Sequence, residues 1–177
     1  MKKTRFKPQE SQQNDFSIFA ITTTSADYKL AFELNRHLGL NLAKQQDLPV
    51  YLTEKKPVNL PFFFFRQDEQ TEYFLIEDRT SGDPMMKSFL LFLKGYITQD
   101  YISGLPDRIS MIDEIFSCNP VSISKKEKKS RAAGMSGIIR NIMTDLEYHM
   151  LEISQTKEDQ KIKLKPTQTR SIRKLYN

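Results

Sequence analysis

From Phe16 the chain begins with a run of aromatic and β-branched residues, and the apolar residues that follow take helical spacing. The stretch DFSIFAITTT is rich in aromatic and β-branched residues, which predicts a first strand. After it, apolar residues mark one stripe of a helix, with Leu30 beside it: Tyr28, Ala31, Leu34 and Leu38. Thr24 or Ser25 can cap the start of this helix, and Gly39 is a natural residue to end it. The next stretch, LNLAKQQDLPVYL, is typical of an extended segment.

Four consecutive phenylalanines, Phe62–Phe65, begin a predicted hairpin whose polar turn spans roughly residues 67–71. Because side chains of a strand alternate between two faces, Phe62 and Phe64 would point one way, and Phe63 and Phe65 the other. We therefore expect a strand that is covered on both faces and belongs to the core. The alternative is a partly exposed aromatic contact surface.

The remaining pattern completes an α+β fold over residues 16–124. MMKSFLLFLK predicts an apolar strand, LPDRISMIDEIFSC a helix, and NPVSI a short closing strand. The helix is indicated by the spacing of Ile109, Ile112 and Phe116, with Pro106 in its first turn. The predicted order is β-α-β-β-β-β-α-β, an antiparallel-rich sheet with two packed helices, followed by a C-terminal helix and a basic arm.

The C-terminal helix has the most regular pattern. Met135, Ile139, Ile142, Leu146, His149 and Ile153 are separated by steps of four and three residues, which is typical of a coiled-coil-like seam. Two interpretations stay open: the helix packs back on its own sheet, or it is offered to a partner. For the second, the candidate partner-binding residues are Met135, Ile139, Ile142, Met143, Leu146, Met150 and Ile153.

The net charge of +5 is unevenly distributed along the chain. Residues 125–177 contain 13 Lys and Arg against six Asp and Glu, a net charge of +7, and residues 1–13 carry +3. Basic ends beside an acidic centre indicate segments that meet an acidic partner such as nucleic acid; the alternative is a solvated charged surface. The candidate nucleic-acid-binding residues are Lys125, Lys126, Lys128, Lys129, Arg131, Lys161, Lys163, Lys165, Arg170, Arg173 and Lys174.

Four segments follow from these patterns. They are a flexible basic N-terminus (1–15), the α+β domain (16–124), a basic linker with an amphipathic helix (125–156) and a basic arm (157–177). In the arm, lysines alternate with Ile162 and Leu164, which favours an extended segment that docks into a groove or adds to a sheet edge; the alternative is a disordered tail.

Groups that could support catalysis or bind a metal are few. Cys118 is the single cysteine, and His37 and His149 are the only histidines. We found no Gly-rich phosphate loop and no serine nucleophile elbow, so we expect no enzyme, no cofactor, no metal site and no small-molecule ligand. No stretch approaches the roughly 20 apolar residues of a membrane span, and the N-terminus lacks the apolar part of a signal peptide, so cytoplasm is expected.

Three stretches are similar to segments of one known family: FSIFAITTTSADYKLAFELNRHLGLNLAKQQDL, FFFFRQDEQTEYFLIEDR and DPMMKSFLLFLK. They resemble, in that order, the opening strand and helix, the aromatic hairpin and the signature segment of the IPExxxVDY proteins of Bacteroidota. Pro84 matches the proline of the signature, whereas Met85, Leu90 and Leu91 stand where the family has glutamate, aspartate and tyrosine. The resemblance covers about residues 15–128 and implies a divergent member of a family of small cytoplasmic proteins without an assigned activity.

These observations favour a protein that acts by binding. The leading hypothesis is a non-catalytic accessory protein that docks onto a larger cytoplasmic assembly, such as a ribonucleoprotein, through its C-terminal helix and basic arm. The second hypothesis is a protein-only adaptor or homo-oligomer assembled through residues 135–153. An enzyme would require His37, His149 or Cys118 to be grouped with carboxylates in a cleft.

Overall fold

The computed structural model describes residues 16–51, 56–79, 85–122 and 135–163, with side chains given for residues 137–154 of the last range. Its elements are β1 (Phe16–Thr23), α1 (Asp27–Leu38), β2 (Ala43–Lys44), β3 (Leu48–Val50), β4 (Val58–Leu60), β5 (Phe62–Arg66), β6 (Glu72–Asp78), β7 (Lys87–Lys94), α2 (Gln99–Ser110), β8 (Ile115–Val121) and α3 (Met135–Lys163). The predicted α+β class is confirmed. The extended segment after α1 is split into β2 and β3, and β4 was not predicted.

Six of the described strands form one antiparallel sheet in the order β2-β5-β6-β7-β1-β8. The strands β3 and β4 pair with each other as a separate antiparallel ribbon. The first described strand, β1, thus lies between β7 and β8, which come last among the described strands. This arrangement requires contacts between residues far apart in sequence.

Helices cover both faces of the sheet. On one face, α1 and α2 pack over the sheet with their buried residues Leu30, Leu34, Leu105 and Ile109. On the other face, α3 and the β3–β4 ribbon form a second apolar layer. The run FLLFL of β7 serves both, because Phe89, Leu91 and Leu93 belong to the first layer, and Leu90 and Phe92 to the second.

The phenylalanine run follows the predicted alternation. Phe62 and Phe64 belong to the layer under α3, and Phe63 and Phe65 to the layer under α1 and α2. Phe62 and Phe63 are buried, whereas Phe64 and Phe65 are half-buried toward the hairpin turn. Full burial of a large apolar side chain contributes about 1.5–3 kcal/mol, so the run is a major part of both layers.

Helix α1 ends as predicted but begins differently. Gly39 follows it with a φ of 69°, and its N–H donates to the carbonyl of Asn35. The N-cap residue is Ala26, which makes no side-chain cap, so the prediction of Thr24 or Ser25 was wrong. The hydroxyl of Ser25 bonds to the carboxylate of Glu114 instead. The first residue of the predicted apolar stripe, Tyr28, is exposed.

Helix α2 begins and ends earlier than predicted. Thr98 caps it, since its Oγ1 accepts a hydrogen bond from the Tyr101 N–H at 3.4 Å. Pro106 therefore lies inside the helix rather than in its first turn. Phe116 belongs to β8 and is exposed, next to a shift in the β1–β8 register. The helical spacing of Ile109, Ile112 and Phe116 was coincidental, because only Ile109 lies in the helix. Ile112 lies in the turn after it and is buried there.

Helix α3 runs further than the sequence indicated. It continues to Lys163, so residues 157–163, predicted as the start of an extended arm, are helical. With 29 residues, α3 is about 43 Å long. None of the helices within the described residues is both long and apolar enough to cross a membrane.

Candidate functional site

The apolar stripe of α3 packs against the sheet of its own chain. Ile139, Ile142 and Leu146 are almost completely inaccessible to solvent, in one cluster with Phe62 and Phe92. The prediction that these three residues bind a partner is therefore corrected: they are core residues. Among the other candidates, Met143, Met150 and Ile153 are half-buried, and the side chain of Met135 lies outside the described part.

Two polar side chains of α3 also hold the helix in place. The Asp145 carboxylate accepts a hydrogen bond from the Tyr51 N–H at 2.9 Å, and the Asn141 amide donates to the Tyr51 carbonyl at 3.2 Å. These residues are four apart and so lie on the same side of the helix. Because they bind both backbone groups of one residue at the end of β3, they fix α3 lengthwise on the sheet.

His149 continues the buried stripe but is not satisfied as a polar group. The residue is 7% exposed, and its ring lies 6.0 Å from that of Phe62 in an edge-on arrangement. Within the described residues, its Nε2 has no hydrogen-bond partner. A buried polar atom without a partner costs roughly 1–3 kcal/mol, so His149 weakens the anchor that the isoleucines provide.

The outer side of α3 carries two large exposed apolar side chains, Tyr148 and Leu151. Beside Leu151, a groove of about 270 Å³ separates α3 from one end of the sheet. Phe16 and Phe74 contribute apolar surface to this groove, and its rim carries charged residues such as Arg66, which binds Glu72 at 2.6 Å. This side of α3, together with the half-buried Met150 that also lines the groove, is open to other molecules.

The basic candidate residues lie at both ends of α3. Lys161 and Lys163 are in the last turn of the helix, with side chains outside the described part. The other nine lie outside the described residues: Lys125, Lys126, Lys128, Lys129, Arg131, Lys165, Arg170, Arg173 and Lys174. Their assignment to nucleic-acid binding stays a prediction.

One cleft groups a histidine with carboxylates, as an enzyme would require. It encloses about 230 Å³ on the outer side of α1, and His37 lies there with its Nε2 3.6 Å from the Glu33 carboxylate. In the same cleft Lys29 binds Glu114 at 2.5 Å, and the buried Ser25 donates to that carboxylate. Sequence reasoning missed this group, because its members are up to 89 residues apart.

The groups in this cleft are arranged to stabilise the fold rather than to act as an acid or a base. The Lys29 ammonium and the Ser25 hydroxyl hold the pKa of Glu114 below its usual value, and a carboxylate with a lowered pKa is a weak base near neutral pH. Glu114 has a φ of 72°, and its backbone carbonyl accepts a hydrogen bond from Thr23 Oγ1 at 2.7 Å. These contacts join the turn before β8 to the turn before α1.

The cysteine and the second histidine are not brought together. Cys118 belongs to the layer under α1 and α2, whereas His149 packs against Phe62 on the opposite face. Burial raises the pKa of the Cys118 thiol to about 11, so little of it is the reactive thiolate at neutral pH. Within the described residues, no three His, Cys, Asp or Glu side chains are placed to hold a metal ion.

Comparisons of the chain with family models, with curated proteins and with solved structures found no match. The resemblance to the IPExxxVDY family therefore stays a prediction. Two of the departures from its signature, Leu90 and Leu91, lie in β7 and are buried on opposite faces of the sheet. In this chain both positions serve the apolar core.

Proposed function

We propose that the protein is a non-catalytic accessory protein that docks onto a larger cytoplasmic assembly through the end of α3 and the basic segments on both sides of this helix. The assembly that the charge favours is a ribonucleoprotein. One observation carries the proposal: the basic clusters of residues 125–131 and 161–174 border, in sequence, a helix whose first half is anchored in the core.

The charge division supports an acidic partner. The net charge of +7 over residues 125–177 contrasts with the acidic centre of the chain, and Lys and Arg bind phosphates and displace counterions from nucleic acid. The anchoring of α3 adds a geometric reason. The helix that the clusters border in sequence is about 43 Å long, and a long phosphate backbone can span that distance.

Binding to labelled single-stranded RNA at rising salt tests this proposal. We expect the affinity to fall steeply between about 50 and 200 mM salt, with a log–log slope of about −0.7 per phosphate contact. Replacing Arg170, Arg173 and Lys174 by Gln should make that slope less negative by about 2. An affinity that does not change with salt would contradict the proposal.

A matched control separates local contacts from net charge. Replacing Arg36, Lys44 and Lys56 by Gln removes the same charge from exposed positions of the α+β domain. We expect this variant to keep the salt dependence of the wild type, because the three replaced residues are distant in sequence from both clusters. An equal loss of RNA affinity in the two variants would mean that binding depends only on net charge, which would contradict docking through the clusters.

A second candidate is the protein-only adaptor, which the exposed Tyr148 and Leu151 favour. They are three residues apart, so they form one apolar patch on the outer side of α3. Affinity purification with and without nuclease distinguishes the two candidates. Partners that survive nuclease treatment but are lost after Tyr148→Ser with Leu151→Ser would support the adaptor, and partners lost with nuclease alone would support the ribonucleoprotein.

A further inference from the structure

A second cleft lies where three turns meet at one end of the sheet. The turns are the β5–β6 hairpin, the connection from β7 to α2, and the end of α1, and together they enclose about 250 Å³. The side chains that matter for the argument are those of Gln67, Asp68, Tyr73, Tyr96, Thr98 and Tyr101. The proposed docking function uses none of them.

Two features hold the walls of this cleft in a fixed position. The Asp68 Oδ1 accepts hydrogen bonds from the N–H groups of Gln70 at 2.8 Å and Thr71 at 2.7 Å, which locks the hairpin turn. Gly95 has a φ of 113°, and a Cβ on it would lie 1.7 Å from the Gln70 carbonyl oxygen. The connection after β7 is thus pressed against the hairpin turn. A site built this way loses little conformational freedom when a ligand binds.

The lining combines aromatic rings with hydrogen-bonding groups. The Tyr73 hydroxyl donates to Gln67 Oε1 at 3.1 Å, and burial raises the pKa of Tyr73, so that phenol stays neutral. The Tyr96 ring is 89% exposed at the mouth of the cleft. Among the described residues that line it, only Asp68 is charged at neutral pH, and its hydrogen bonds from Gln70 and Thr71 lower the pKa of its carboxyl further.

We propose that this cleft binds a neutral saccharide unit, with the Tyr96 ring against the C–H face of the sugar and Asp68 and Gln67 bonded to its hydroxyls. A volume of about 250 Å³ is smaller than the roughly 300–1,000 Å³ of sites for drug-sized ligands, so it suits one sugar ring. Tyrosine rings offer an apolar face together with a polar edge, which matches a pyranose.

The hydrogen-bonding lining disfavours other small ligands. An apolar molecule, or a methylated ammonium ion without donors or acceptors, would displace water from the second Asp68 oxygen and the Gln67 amide N–H groups without replacing its hydrogen bonds. Each such group costs free energy when it is buried unpaired. A ligand rich in hydroxyls replaces the water bound to these groups with equivalent hydrogen bonds.

Backbone amide NMR of the full chain, titrated with methyl pyranosides of glucose, galactose, mannose and N-acetylglucosamine, tests the proposal. At least one sugar should give saturable shifts in the segments 67–71 and 95–101, with a Kd of about 1 mM, as expected for a ligand of one ring. No saturable shift with any of the four, or shifts spread over the whole domain, would overturn the inference. Equal or stronger binding of cyclohexylmethanol or of choline would also overturn it. Cyclohexylmethanol replaces the hydroxyl-rich ring by an apolar ring, and choline replaces it by a methylated cation.

Matched variants show whether the named groups make the site. Tyr96→Leu should weaken binding about tenfold, whereas Tyr96→Phe, which keeps the ring, should bind within about twofold of the wild type. Tyr28→Leu, the same change at an exposed tyrosine of α1, should have no effect. Asp68→Asn keeps the oxygen that caps the hairpin turn and removes the charge, and should weaken binding about fivefold. Tyr96→Leu and Tyr28→Leu proteins that bind alike would refute the site.

Discussion

Replacing Ile142 by Ala tests whether α3 is a structural part of the domain. Ile142 is completely buried between α3 and the sheet. The change removes about three methylene-sized groups at roughly 0.8 kcal/mol each and leaves a cavity, so we expect a loss of about 3 kcal/mol in the free energy of unfolding. Ile142→Val, which removes one such group, should cost about 1 kcal/mol.

Urea unfolding followed by circular dichroism and by tyrosine fluorescence measures this loss. The chain has seven Tyr and no Trp, and among the described tyrosines Tyr73 is buried and Tyr101 half-buried, both in the layer under α1 and α2, so fluorescence reports mainly on the face of the sheet opposite α3. Leu151→Ala is the matched control, because it shortens an exposed apolar residue of the same helix and should change stability by less than about 0.5 kcal/mol. The two signals should give one coincident transition.

Two results would refute the reasoning. If Ile142→Ala were no more destabilising than Leu151→Ala, α3 would not be anchored by this side chain. If circular dichroism showed an early loss of helix while tyrosine fluorescence stayed native, the helix would unfold separately from the sheet. Ile142→Asp then distinguishes the remaining cases, because a buried unpaired charge should unfold the whole protein only if α3 belongs to the core.

Three further outcomes follow from the structure. His149→Leu should raise the free energy of unfolding by about 1–2 kcal/mol, because it replaces an unpartnered buried polar group; a loss of stability in urea unfolding would contradict this. Cys118 should react with a thiol reagent much more slowly in the native protein than in urea, since burial raises the pKa of its thiol to about 11; equal rates would show that the thiol is accessible. The lowered pKa of Glu114 means that its ion pair with Lys29 stabilises the fold above the ordinary pKa of 4.5 and is lost as pH falls through the folded-state pKa. Glu114→Gln should therefore reduce the loss of stability on acidification, and an unchanged pH profile would show that the pair contributes nothing.

Patterns of neighbouring residues predicted most of the strands and helices and their apolar faces, because these depend on local geometry. The alternation within Phe62–Phe65 indicated a strand that needs cover on both faces, and both faces are covered. The helical stripe of α3 was equally evident. The same stripe, however, fits the sheet of its own chain as well as a partner, because spacing defines an apolar face and not the surface that it meets. Only the contacts of Ile139 and Ile142 with the sheet distinguish these cases.

Features that depend on distant residues were missed. The Ser25 hydroxyl has the chemistry of a helix cap, but its partner is Glu114, 89 residues away. The tyrosine-lined cleft is assembled from three turns, and Tyr73 and Tyr96 are not related by any helical or strand spacing. Gly95 could be noted in the sequence, but the reason for it, the close approach of the Gln70 carbonyl, exists only in the folded chain.

The anchoring of α3 has a consequence for the proposed docking. Two basic segments that flank one anchored helix would bind a long polyanion as a pair, since the second contact forms at the high effective concentration that the first creates. Had α3 been loose, each binding event would also have to order the helix, which lowers affinity. Neutralising either cluster, residues 125–131 or 161–174, should then lower the affinity to about that of the remaining cluster alone. The burial of Ile139, Ile142 and Leu146 within the chain thus supports docking at the two ends of the helix, although it removes these residues from any partner interface.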